Sequence, residues 1–109
     1  MKISTSTIGD AIVVAAEGEL DIVSAPNLDT AVIAAISEPH NKVVLDLGGV
    51  TFMDSTGLGI VVRALKRCRE IERKFLVVVT NDRVLKVFEI TGLNTLIPIS
   101  ESLEAALSA

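Results

Sequence analysis

Three short runs of the sequence, residues 11–16, 43–47 and 75–79, are apolar at nearly every position. A strand with apolar side chains on both faces must be covered on both, which is the condition of strands inside a largely parallel sheet. After each run comes a segment with apolar residues at helical spacing. These are Leu28, Ala31, Val32, Ala35 and Ile36, then Ile60, Val61, Ala64, Leu65, Cys68 and Ile71, then Val84, Leu85, Val87 and Phe88. Strands alternating with helices predict an α/β fold with right-handed crossovers. The 109 residues are 50% hydrophobic with three aromatics, all Phe, which suits one domain spanning 1–109 with a core of Val, Ile, Leu and Ala.

Residues 3–8 are rich in β-branched types and precede Gly9-Asp10, so the first strand is expected to form an antiparallel hairpin with 11–16, its Ser and Thr marking a sheet edge. Ser24-Ala25-Pro26 reads as an N-cap with proline in the first helical turn, and Pro39 stops that helix. The central helix is expected to run to about Glu72. Asn81 or Asp82 caps the next, and Gly92 closes it. Pro98 restricts residues 96–99 to a short edge strand, and Ser100 is expected to cap a last helix with Leu103, Ala106 and Leu107 inward. Residues 18–21, 48–55 and 80–82 then read as loops leaving the carboxyl ends of the strands. They share one rim, where the sites of open α/β sheets collect.

A formal charge of −4 argues against direct nucleic-acid binding and against an acidic membrane surface. Arg63, Lys66, Arg67 and Arg69 fall in the later turns of the central helix, where cations complement the dipole and face water. The one cysteine, Cys68, lies on the apolar helix face and reads as core packing. No apolar run reaches the roughly 20 residues of a membrane span, and no signal-peptide pattern opens the chain, so a soluble, cytoplasmic protein is expected.

Chemistry concentrates at Asp54-Ser55-Thr56-Gly57-Leu58-Gly59, where a strand gives way to the central helix. Asp54 and Ser55 are both strong N-cap types, so the helix is expected to begin at or just after Ser55. A hydroxyl is thereby presented at a helix N-terminus, where unpaired amides and the macrodipole tolerate added negative charge. Gly57 and Gly59 each cost about 1 kcal/mol relative to alanine in a helix, and a cap alone does not require them. Either they pack closely on the protein's own sheet or they admit a partner's backbone.

Three functions compete for this junction. A hydrolase with Ser55 as nucleophile needs a base, but the single histidine, His40, precedes the strand 43–47 and sits at its far end, roughly 17 Å away. There is no Gly-x-Ser-x-Gly elbow either. A nucleotide-binding module lacks a Gly-x-x-x-x-Gly-Lys loop, and Asp21 and Asp54 repel a free phosphate. A protein-binding module whose serine is modified by another enzyme needs only an accessible hydroxyl on an approachable surface. No metal cluster or cofactor motif is present, and no catalytic residue is assigned.

Gly18-Glu19-Leu20-Asp21, Ser24-Ala25-Pro26, the stretch from Phe52 through Gly59, and Phe88 with Thr91-Gly92-Leu93 resemble a STAS domain of the anti-sigma factor antagonist family over essentially the whole length. The resemblance implies a mixed, mostly parallel sheet of four to five strands with an N-terminal antiparallel hairpin and about four helices. It implies partner switching: the unphosphorylated antagonist binds an anti-sigma factor that is also a serine kinase and so frees a sigma factor. Phosphorylation blocks the binding and a serine phosphatase restores it. The family's modified serine corresponds to Ser55, with Thr56 as the alternative acceptor. Asp21, Asp54, Ser55, Thr56, Gly57, Leu58 and Gly59 are the expected partner-binding residues, on a protein that is not an enzyme and is a monomer when free. The other use of such a domain is as a scaffold subunit of a signalling or transport assembly without phosphorylation switching. The segment Glu72-Arg73-Lys74 departs from many relatives in supplying no glycine turn.

Overall fold

A computed structural model describes residues 1–109. Strands β1 (Lys2–Ile8), β2 (Ala11–Leu20), β3 (Lys42–Met53), β4 (Lys74–Val78) and β5 (Ile99–Ser100) form one sheet in the order β1-β2-β3-β4-β5. Helices α1 (Ala25–Ile36), α2 (Ser55–Glu70) and α3 (Asp82–Thr91) connect the strands from β2 onward, and α4 (Leu103–Ser108) ends the chain. β1 and β2 are antiparallel and every other pair is parallel, as expected. Gly9 takes a φ of +60°, the left-handed value that a two-residue hairpin turn demands of its first residue.

Strand order follows chain order without reversal, so right-handed crossovers place α1, α2 and α3 on the same face of the sheet. The larger core lies there, where Leu28, Val32, Ile60, Val61, Leu65 and Phe88 pack on Ile12, Val14, Val43, Leu45 and Val77. Val13, Val44, Leu76 and Val78 point to the opposite face, and α4 covers them through Ala106 with flanking Leu103 and Leu107. Lys42 is buried and donates from Nζ to the carbonyls of Ala106, Leu107 and Ala109, satisfying the end of α4.

The main correction concerns the rim. β2 continues to Leu20 and β3 to Met53, so residues 18–20 and 48–53 are strand, not loop. Gly48 and Gly49 read locally as breakers, but pairing overrides that preference. Glu17 pairs with Gly49, Gly18 with Val50, Glu19 with Phe52 and Leu20 with Met53, across two register shifts. A Cβ on Gly49 would stand 3.2 Å from Glu17 Cα and 2.6 Å from its Cγ, so glycine is what lets the irregular strands close. β1 pairs only as far as Glu17, and β4 ends opposite Asp46. The last residues of β2 and β3 therefore project past both neighbours as a two-stranded ledge.

Smaller differences have local causes. Ser24 lies in the helical region and gives α1 no side-chain cap, because its hydroxyl is used within the preceding loop. α2 stops at Glu70 rather than Glu72. Residues 93–95 form a 3₁₀ turn after Gly92, whose φ of +77° is the expected helix closure. β5 is thereby shortened to Ile99–Ser100, and the cap of α4 is Ser102 rather than Ser100.

Candidate functional site

The junction stands at the tip of the ledge. Asp54 is the N-cap of α2, its Oδ1 accepting from Thr56 N–H at 2.9 Å, and Leu58 N–H makes the first helical bond to Asp54 C=O at 3.2 Å. Asp54 N–H donates to Leu20 C=O at 3.2 Å, which ties the start of α2 to the end of β2. Ser55 is thus the first helical residue, exposed, with a hydroxyl that makes no hydrogen bond to the protein. The N–H groups of Ser55 and Gly57 also lack acceptors, leaving two helix-terminal donors beside that hydroxyl.

The two glycines separate. A Cβ on Gly57 would stand 2.7 Å from Met53 Cγ and 2.8 Å from Leu20 Cγ and Cδ2, so Gly57 is buried to let α2 close on the ledge. On Gly59 a Cβ would meet only the mobile end of Arg63 at 3.3 Å. Its half-exposed backbone is open to approach from outside. Leu58 is half-buried against the core.

Asp21 lies one residue beyond Leu20 and so shares the tip, but its carboxylate is turned onto its own loop. Oδ1 accepts from the N–H groups of Val23 and Ser24, both at 3.0 Å, while Ser24 Oγ accepts from Asp21 N–H and donates to Glu19 C=O at 2.7 Å. The Ser24 N–H is the main reason the Asp21 carboxyl sits below its ordinary pKa, with the Val23 N–H adding to it. This shapes the loop so that Ile22 and Val23 face outward, 73% and 82% exposed. Phe52, on the outer side of the ledge, is 49% exposed. None of these three was singled out from the sequence as a site residue. The available signal was an Ile-Val pair between two turn-forming polar residues.

Two clefts flank Ser55. One, of about 260 Å³, lies between Ile22, Pro26 and Asp29 on one side and Thr56, Ile60 and Arg63 on the other, with Arg63 Nη2 3.5 Å from Asp29 Oδ1. The other, of about 310 Å³, runs between Phe52 and the α3 residues Arg83, Val84 and Val87. The third rim segment is held by Thr80 Oγ1, which donates to Gly48 C=O at 2.8 Å, while Asn81 caps α3.

His40 lies just before β3 and Ser55 just after it, so a strand of twelve residues, not five, separates them. His40 instead meets Glu38 at 3.3 Å. Cys68 is fully buried and its thiol is pushed up to about 11 by desolvation, partly opposed by Arg73. A sheet that never reverses its strand order has no switch-point crevice for a small ligand behind the rim. What the tip offers around its two clefts is the hydroxyls of Ser55, exposed, and Thr56, half-buried, neither with a hydrogen-bond partner, two free amides, acidic groups and exposed apolar side chains.

Residues 2–106 match the family model described as the STAS domain. The anti-sigma-B factor antagonist of Staphylococcus epidermidis is 33% identical over 104 residues, 95% of this chain and 96% of that protein. The crystal structure of an anti-sigma factor antagonist from Mycobacterium paratuberculosis superposes with a TM-score of 0.93 at 29% identity, covering 98% of this chain and 91% of that one. The Bacillus cell fate determinant SpoIIAA in its phosphorylated form superposes with a TM-score of 0.75, over 98% and 97% of the two chains, and at 19% identity shares the fold.

Proposed function

Because this chain belongs to the STAS domain family, we propose that it is an anti-sigma factor antagonist whose unmodified form binds an anti-sigma factor and whose phosphorylation on Ser55 abolishes that binding. The observation that carries the reading is the Ser55 hydroxyl, exposed and without a hydrogen bond at the first position of α2, with the helix already capped by Asp54. A serine spent on capping would be occupied. This one is left for an external enzyme, and the anti-sigma factor itself is the proposed serine kinase, with a serine phosphatase resetting the switch. The protein acts in the cytoplasm and without catalysis of its own, since the only imidazole lies beyond the other end of β3.

The proposed interface is the ledge tip, with Ser55, Thr56, Leu58 and Gly59 at its centre and Ile22 and Val23 alongside. Asp54 and Gly57 act through the backbone they hold, and Asp21 through the loop it shapes. A phosphate on Ser55 faces two free amides and the positive end of α2, worth up to about 2 kcal/mol in good geometry. Asp21 and Asp54 oppose part of that gain, and the domain stays folded. Binding is lost at the interface instead, because a doubly charged group between packed surfaces without a cationic partner costs several kcal/mol. At about 1.4 kcal/mol per tenfold, a loss of a hundredfold or more is expected.

The test is to incubate the protein with serine kinases of its own organism and ATP, locate the phosphate by peptide mass spectrometry, and titrate each form calorimetrically against the kinase that reacts. Phosphate on Thr56 alone, or undiminished binding by the phosphorylated protein, refutes the reading.

A further inference from the structure

The sheet has a second opening, at the other end of α2. β5 pairs with β4 only at Val77 and Val78, whereas β4 begins at Lys74. The N–H groups of Val77 and Val79 donate to the carbonyls of Pro98 and Ser100, at 3.2 and 3.0 Å. Alternation along the strand turns the Phe75 N–H the same way, into a gap where no strand lies, while Lys74 N–H donates toward the β3 side at Asn41 C=O, 3.1 Å.

The gap is a cleft of about 320 Å³ walled by Leu65, Phe75, Leu76 and Pro98, with Leu96, 51% exposed, at its mouth. Arg69, Arg73 and Lys74 border it, and none of the three has a carboxylate partner, the ion pairs of the chain being His40–Glu38, Arg63–Asp29 and Arg67–Glu70. Arg69 and Arg73 donate only to carbonyls, those of Leu96 at 3.3 Å and Glu38 at 2.7 Å. Ala109 also borders the cleft, with its carbonyl held by Lys42. In a chain of net charge −4, Arg69, Arg73 and Lys74 gather three cations without ion-pair partners around one apolar cleft.

We propose that this cleft binds a small amphipathic carboxylate, its apolar body against Phe75 and Leu65 and its carboxylate facing Arg69, Arg73, Lys74 and the unpaired Phe75 N–H. The volume lies at the lower end of the range of about 300–1,000 Å³ for ligand pockets, which selects a small amphiphile over a long-chain lipid. The site is independent of Ser55 and stands at the opposite end of the helix that carries it.

The experiment is a titration of the ¹⁵N-labelled protein with octanoate, with octanol and octylamine as matched probes and no kinase present. Octanoate is expected to shift the Phe75, Arg69 and Leu96 amides saturably and to leave the Ser55 amide unmoved, with octylamine failing to saturate. Arg69→Gln combined with Lys74→Gln, both exposed positions, is expected to keep the dispersed spectrum and weaken octanoate binding by about tenfold. Equal binding of octanol, unchanged affinity in the double variant, or no saturation with octanoate overturns the proposal. Self-association through these same amides on concentration, seen by sedimentation, also overturns it by giving the face to a second copy of the chain.

Discussion

At its N-terminal end α2 is capped by a side chain, the Asp54 carboxylate on Thr56 N–H, whereas its C-terminal end is capped by backbone hydrogen bonds. There Arg73 N–H reaches Cys68 C=O at 2.8 Å and Glu72 N–H reaches Arg69 C=O at 3.3 Å. This is the paired closure that usually places glycine in the left-handed position. Here Glu72 occupies it, with a φ of +57°. The first end uses residues suited to their conformations and leaves a hydroxyl and two amides without partners. The second accepts local strain, and its Arg69 and Arg73 have no carboxylate partner. Local sequence rules describe the first end well and the second poorly, because the second is dictated by where β4 must begin.

The largest effect that tests this contrast is at Ser55. Phosphorylated protein is expected to melt as a folded domain but to bind the anti-sigma factor at least about a hundredfold more weakly. Ser55→Ala keeps binding and refuses phosphate, and Ser55→Asp, with a single charge, falls between. Circular dichroism melting and calorimetric titration check all three. A phosphorylated protein that melts as an unfolded chain shows instead that this end of α2 does not tolerate the charge.

Next in size is the difference between the two glycines. Gly57→Ala forces a methyl into Leu20 and Met53 and is expected to destabilise by about 1–3 kcal/mol in chemical denaturation. Gly59→Ala meets only Arg63 and is expected to hold or gain stability, by up to about 1 kcal/mol, while weakening the partner complex. Equal stability losses at the two positions remove the distinction between a packing glycine and an approach glycine.

At the other end, Glu72→Gly relieves the left-handed residue and is expected to stabilise by about 1 kcal/mol, with no change in partner binding. A destabilised variant places the strain elsewhere.

The smallest effect is an acid titration of the loop before α1. Asp21 has its carboxyl depressed below 3.8 by the N–H groups of Ser24 and Val23, so its contribution is fully present above the unfolded value and is lost as pH falls through the lower folded one. The Val23 and Ser24 amide shifts are expected to titrate together with a midpoint below 3.8, and Asp21→Asn to abolish that step. Separate midpoints mean that Asp21 is not the residue shaping the loop.

Residue types and their spacing, read alone, already determined the strand and helix alternation, the hairpin at Gly9, the start of α2 beside Ser55 and the closure of α3 at Gly92. Each depends on contacts within a few residues or on a period that the chain itself displays. The place of Ser55 at that start was legible for the same reason, but Asp54 and Ser55 were both candidate caps, and the structure decided for Asp54, which leaves the Ser55 hydroxyl free. The ledge of β2 and β3 was not legible. Gly48 and Gly49 disfavour a strand by themselves, and only pairing with residues 17–20 across register shifts makes them one. The role of Gly57 depends on Leu20, 37 positions away in the chain, and that of Lys42 on the carbonyls of α4. The outward turn of Ile22 and Val23 follows from a carboxylate claiming two amides of its own loop. These are long-range pairing, close packing and competition for hydrogen bonds, and the tertiary structure decided them because each needs a partner that local pattern does not name.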